Sequence, residues 1–333
     1  MTGPKKRGCL GCSFPILIIV AVIVLVIVVL GFLSGSIGQA MFHISFPSWL
    51  VVEKPEIHLA APHLFTVFGF PVTNTMLAGW ITVIFLVLGS WLITRRMKLV
   101  PKRLQTVFEF ILGWIYDFCE SVSGKENGRK FFPVICTIFL FVAFNAWLSL
   151  VPGYGSILIN SNGSEHELIR GANTDLNTPL ALAIVSFVFV AYYGIKSIGT
   201  GWLKQYFNFG PFFRSIGRVF KGKFNFIDII SGIVNAFVGG LEFLSMLIRL
   251  ISFTFRLFGN MTAGEILVLI AAFIFPFAVS WIVYGLELFV GFIQALVFAG
   301  LTLVFATMAV SSHEAESHKD LKNSEKEVLK EGT

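Results

Sequence analysis

The chain has 333 residues, 56% of them hydrophobic and only 13% charged, and its 25 Lys and Arg outnumber 19 Asp and Glu for a net charge of +6. A soluble domain carries about 25% charged residues, and a mean hydropathy of +0.82 excludes one here. Several uncharged runs approach or exceed the roughly 20 residues that span a bilayer as a helix, so the composition is that of an all-α polytopic membrane protein; its basic excess reflects loop topology, not a nucleic-acid surface.

Cys9 and Cys12 precede the first apolar run and read as free thiols, without the further Cys or His a metal site needs. Phe14 to Leu33 is that run, behind Lys5, Lys6 and Arg7. It exceeds the roughly 7–15 residues of a signal-peptide core, so residues 1–34 are expected to be an anchor helix, with a signal segment as the alternative because small residues follow. Residues 35–76 form an external linker punctuated by Pro47, Pro55, Pro62 and Pro71. Its His43, His58 and His63 lack metal-ligand spacing.

Residues 77–312 make the membrane domain. The second span, Leu77 to Ile93, stops at Arg95, Arg96 and Lys98. After Pro101, Lys102, Thr106, Glu109, Gly113, Asp117 and Glu120 recur at helical spacing, while Leu104, Phe108, Ile111, Ile115 and Phe118 face elsewhere. That pattern predicts an amphipathic interfacial helix. A basic break from Lys125 to Lys130 precedes the third span, Phe131 to Val151. The polar loop 152–178 sets Glu165, Glu167 and Asp175 against one Arg, Arg170. The fourth span, Pro179 to Ile195, leads into a basic loop with Lys196, Lys204, Arg214, Arg218, Lys221 and Lys223. Two long runs follow, Ile229 to Phe275 and Phe277 to Val310, divided by the helix breaker Pro276. Each exceeds one perpendicular crossing, so a tilted hairpin of two long helices is expected. Residues 313–333 are a charged tail that holds His313 and His318. Basic and non-basic segments alternate; of the five to six membrane helices expected, six passes with both termini cytoplasmic satisfy the positive-inside rule if the first helix is retained.

Glu242, Ser245, Arg249, Ser252, Arg256 and Asn260 are spaced by three or four residues and share one helical face. Ser280, Tyr284, Glu287, Gly291 and Gln294 form a second stripe in the last long run. Packed antiparallel, the two faces make a polar pathway, in which Glu265 meets Glu287 and the two carboxylates share a proton. Plainer readings exist for some: Glu242 and Arg249 as a structural ion pair, Glu287 as a packing residue, Gln294 as interhelical glue. Arg256 resists such a reading. A guanidinium does not shed its proton, no acid lies three or four residues away, and an intramembrane Arg marks a functional site with a partner. No phosphate-binding Gly-rich loop, His-Glu-x-x-His or Gly-x-Ser-x-Gly occurs, so the polar residues suit ion movement, not covalent chemistry.

Phe255-Arg256-Leu257-Phe258-Gly259-Asn260-Met261-Thr262-Ala263-Gly264-Glu265 resembles the signature of the a subunit of the rotary ATP synthase membrane sector, bacterial type. Gln294-Ala295-Leu296-Val297-Phe298, Glu242 fourteen residues before the Arg, and Thr174-Asp175-Leu176-Asn177 support the resemblance over residues 60–315. It implies a non-catalytic, proton-translocating stator subunit with no cofactor or metal, in a bacterial inner membrane. Its partners would be the c-subunit ring, the b-subunit peripheral stalk, the remaining ATP synthase subunits and membrane lipid, with no nucleic acid. Arg256 would face the ring. Asn260, Glu265, Glu287 and Gln294 would line the outer half-channel, with Asp175 and Asn177 at its mouth. Glu242 and Ser245 would line the inner one, beside Arg249 and Ser252. The coupling ion is a proton by this resemblance; sodium stays open, since the ring's own site sets the choice. Some family members carry His where Glu287 stands, and Arg249 stands where Lys is frequent. A stand-alone secondary ion transporter or channel is the alternative, but the unequal passes show no internal repeat. A scaffolding membrane protein would leave both stripes without a use.

Overall fold

A computed structural model describes residues 14–42, 61–95, 103–151, 157–161, 164–199, 226–276 and 278–331, besides a few isolated positions. Cys9, Cys12, His43, His58 and most of the basic loop after Lys196 lie outside the described residues, as do the side chains of His313 and His318.

Among the described residues seven α-helices carry the fold: α1 (Phe14–Ser34), α2 (Ser36–Phe42), α3 (Asn74–Thr94), α4 (Arg103–Ser149), α5 (Asn177–Ile198), α6 (Phe226–Ile274) and α7 (Ala278–Glu331). Five of them, α3 to α7, contain segments long and apolar enough to cross a bilayer. The two long C-terminal helices meet at Pro276, as the sequence requires. The apolar part of α6 spans 38 residues, about 57 Å of helix against a hydrocarbon core of roughly 30 Å. It therefore leans or overruns the core.

Both segments read as loops contain a β-hairpin. β1 (His63–Val67) pairs antiparallel with β2 (Phe70–Thr73). Phe68 (φ 50°) and Gly69 (φ 82°) join them, the double positive φ of a tight two-residue hairpin turn. Thr73 then caps α3, its hydroxyl accepting from the Met76 amide at 3.4 Å. β3 (Leu158–Ser161) pairs with β4 (Ser164–Glu167) across the Asn162-Gly163 dipeptide.

The expected basic break in α4 is helical; the interruption is one residue, Gly124, at φ 76° and ψ 166°. The two arms, 103–123 and 125–149, fold back on each other there. Tyr116 meets Phe132 edge-on at 5.5 Å and Trp114 lies 6.0 Å from Phe139. The first arm has three faces. Thr106, Glu109 and Asp117 are exposed and polar; Leu104, Val107, Phe110 and Trp114 are exposed and apolar; Ile115 and Cys119 are buried in the core. Water, lipid and protein each claim one, which suits a helix at the membrane interface.

The core runs where α4 meets α7, from Phe131, Ile135 and Val142 to Phe298 and Leu303. Small residues let the helices approach. A Cβ on Gly291 would stand 2.8 Å from the Ala146 Cβ. Buried hydroxyl and amide pairs pin the other contacts: Ser186 with Thr302 at 2.7 Å, and Asn145 donating to Thr82 at 3.1 Å.

The predicted alternation of loops appears as two distinct ends. Phe32 of α1 stacks on Phe275 beside the Pro276 break. At that same end Asn74 donates to the Glu167 carbonyl at 3.2 Å and Thr75 to Asp175 at 3.3 Å. At the other end the Tyr193 hydroxyl reaches the Lys130 carbonyl and Ser197 reaches that of Val310.

Gly124 occupies a backbone region that is essentially Gly-only, where another residue costs about 1–3 kcal/mol. Gly124→Ala should therefore lower the thermal unfolding midpoint in detergent. An unchanged midpoint would mean the hinge is unstrained.

Candidate functional site

The site is the seam between α6 and α7. Phe253 contacts Phe298 at 5.0 Å, Asn260 donates to the Gln294 side-chain oxygen at 3.4 Å, and Gly264 lies against Glu287. Partner numbers rise on one helix as they fall on the other, so the two polar stripes meet antiparallel as the sequence predicts. The packed face of α6 carries Phe253, Leu257, Met261 and Val268. Ser245, Ser252, Phe255, Arg256, Gly259 and Ala263 are exposed on another face. Asn260 lies at the border between the two, half-buried.

Arg256 is thus on the edge of the seam, not inside it. Among the described residues it makes no hydrogen bond or ion pair. It lies within the apolar run Phe237–Ile274, at membrane depth. A permanent cation there needs a partner, and none of the described residues supplies it.

At the end of the seam nearer Pro276, Glu287 is only 7% exposed. Gly264 is its seat: a Cβ at 264 would overlap the Glu287 carboxylate. Among the described residues Glu265 makes no hydrogen bond to Glu287; its partner is Arg170. Arg170 donates from Nε to both Glu265 oxygens at 2.9 and 3.1 Å, and from Nη2 at 3.0 Å. A bidentate guanidinium outcompetes a second carboxylate, because it neutralises the charge where another acid would add to it. Thr262 Oγ1 and Gln294 Nε2 are buried without a hydrogen-bond partner among the described residues. So are both amide atoms of Asn173, which lies in a 3-10 turn (Ala172–Thr174). Such atoms keep free hydrogen-bonding capacity along that part of the bundle. Asp175 accepts from Thr75 and from Asn177 at 3.1 Å, tying the start of α5 to the start of α3.

At the end away from Pro276, Glu242 and Arg249 do not form the structural pair that their spacing allows. The Arg249 guanidinium lies 3.8 Å over the ring of Phe305 instead. Glu242 is half-buried, while Ser245 and Ser252 are exposed. Tyr284 is half-buried, and Ser280 donates to the Phe275 carbonyl at the start of α7. Among the described residues no cluster of three His, Cys, Asp or Glu is placed to hold a metal.

Sequence reasoning missed Arg170, Gly264 and Phe305. Arg170 left a trace, as the one cation in an acidic loop. Gly264 and Phe305 left none, because each matters only through a residue on the other helix.

A family model described as ATP synthase A chain matches residues 76–307. ATP synthase subunit a of Moorella thermoacetica is 26% identical over 257 residues, 77% of this chain and 99% of that relative. The subunit a of Gloeobacter violaceus is 31% identical over 241 residues, 72% of this chain and 85% of its own. That of Syntrophobacter fumaroxidans is 29% identical over 264 residues, 78% and 95% of the two chains.

Arg170→Gln leaves the Glu265 charge part-buried without its cation. Breaking a buried pair costs about 3–5 kcal/mol; with Glu265 26% exposed, about 2 kcal/mol is expected. Thermal unfolding should show that loss, and Arg170→Gln with Glu265→Gln should recover most of it. A double variant as unstable as the single one would refute the pairing.

Proposed function

The chain belongs to the ATP synthase A chain family, and from that premise we propose that Arg256 is the fixed cation that discharges the rotor. The protein is a multi-pass, proton-translocating stator subunit of the ATP synthase membrane sector, with no catalysis of its own. The finer assignments are our reading. The observation that carries them is an exposed Arg at membrane depth with no hydrogen bond or ion pair among the described residues.

In this reading a ring of c subunits turns past the exposed face of α6, and the b-subunit stalk holds the chain still. A ring carboxylate must be neutral to move through lipid and ionised to release its proton. Beside Arg256 the ionised form is favoured, so the carboxylate's pKa falls and the proton leaves. The same charge repels protons, so none passes directly from one half-channel to the other.

The outer half-channel runs from the end that carries Asp175, Asn177 and Arg170 to the Asn260–Gln294 contact. Glu287 is its proton relay. Glu265, engaged by Arg170, orders the mouth. The inner half-channel passes Glu242, Ser245 and Ser252. Both chain termini and the basic loops face the cytoplasm, which the count of Lys and Arg supports. With the channels offset, a proton reaches the inner side only by riding the ring. Its passage, worth about 2.3 kcal/mol per charge per 100 mV, becomes rotation.

Arg256→Ala should abolish ATP synthesis while the complex still assembles. Arg256→Lys should rescue it poorly, since a buried ammonium loses its proton more readily. Normal ATP-driven proton pumping by inverted vesicles of Arg256→Ala would contradict the reading. Co-isolation of the chain with a ring of small hairpin subunits in mild detergent is the expected assembly result; a transport-active homo-oligomer would instead favour a stand-alone transporter. Gly264→Val fills the seat of Glu287 and should cut proton pumping about tenfold or more, as a displaced general acid or base does. Retained pumping would remove Glu287 from the relay.

A further inference from the structure

The two arginines of α6 stand seven residues apart, about 10.5 Å along the axis and nearly on one stripe. The structure treats them differently. Arg256 is exposed, whereas Arg249 is half-buried with its guanidinium over Phe305 of α7 at 3.8 Å. Among the described residues Arg249 has no carboxylate partner. Phe305 is itself held in place: its ring lies 5.8 Å from Phe253, which packs on Phe298. Arg249 and Phe305 line one small cavity with Ala183, Ser186 and Val190 of α5. The Ser186 hydroxyl is engaged by Thr302. The aromatic ring is therefore the contact that fixes Arg249.

We propose that Phe305 is a positioning residue, whose ring holds the Arg249 guanidinium in the seam of α5, α6 and α7 so that Arg256 stands as the single cation on the exposed face of α6. The proposal rests on the reading of Arg256 as the cation that meets the rotor. Its physical basis is the permanence of the guanidinium charge. Arg249 cannot be silenced by deprotonation, so it must be silenced by direction. A freed Arg249 would offer the ring carboxylate a second station a turn or two from the first. The carboxylate would stay ionised there and would not take up or deliver its proton in step with rotation. Planar stacking suits a guanidinium better than the compact, strongly hydrated ammonium of Lys.

The test uses the whole ATP synthase in inverted vesicles and reads protons pumped per ATP hydrolysed. Phe305→Leu, which removes the ring, should lower that ratio about fivefold or more, and Phe305→Tyr, which keeps it, should restore it. In an Arg249→Gln background, Phe305→Leu should cost less than about twofold, because there is no cation left to misdirect. Equal losses in both backgrounds, or normal coupling in Phe305→Leu, would overturn the proposal. Where a variant fails to assemble, or Arg249→Gln is itself uncoupled, a map of the unaltered complex decides. The guanidinium stacked on Phe305 supports the proposal, and the guanidinium turned to the rotor ends it. Normal pumping by Arg256→Ala would instead remove the underlying reading and leave the stacking intact.

Discussion

A guanidinium that keeps its charge at membrane depth constrains everything else in this protein. Hydrocarbon does not solvate Arg256, its own helix holds no acid within a turn, and the described residues offer it no hydrogen bond. The fold answers by keeping the side chain at the rim of a helix pair, on an exposed face, which in the proposed function is the one the rotor passes. An ion pair inside the chain would stabilise the isolated subunit and leave nothing for a passing carboxylate to meet.

Three further charges of the two long helices, Glu265, Glu287 and Arg249, are handled by pairing, seating or stacking. Glu265 is neutralised by Arg170, Glu287 is tucked against Gly264, and Arg249 lies on Phe305. Each device uses different chemistry for the same end, which is to separate charges that a helical stripe would crowd together. The result divides labour between neighbouring acids. Glu265 is ion-paired and Glu287 has no cation on it among the described residues; in the proposed function the first orders the channel mouth and the second relays the proton.

The rest of the bundle holds this seam at a defined angle. α4 doubles back at Gly124, so one helix offers a wall to α7 and an arm with separate lipid, water and protein faces. Small residues at Gly291 and Ala146 bring that wall close to the seam, and the Trp147 indole donates to the Leu288 carbonyl at 3.2 Å. α1 touches the body at its C-terminal end, beside Phe275, and its apolar side chains from Ile18 to Leu30 are otherwise exposed. A helix hydrophobic all round, with so little protein contact, has the composition that suits lipid.

Membrane class, the spans, the break at Pro276, the two facing stripes and the exceptional standing of Arg256 were all legible in the sequence. They follow from local properties: run length, helical spacing, a missing amide proton and a charge with no neighbour. The two β-hairpins and the hinge at Gly124 were not, because polar connecting segments carry weak periodicity and a single glycine has no intrinsic direction. Nor did spacing reveal that Arg170 takes Glu265, that Gly264 seats Glu287, or that Phe305 turns Arg249 aside. Those partners are from 23 to 95 residues apart, so only the packing of helices determines which groups compete for one another. The sequence by itself determined which charges enter the membrane; the tertiary structure decided which of them is left free, because in a low-dielectric interior a charge is defined by its nearest counter-charge.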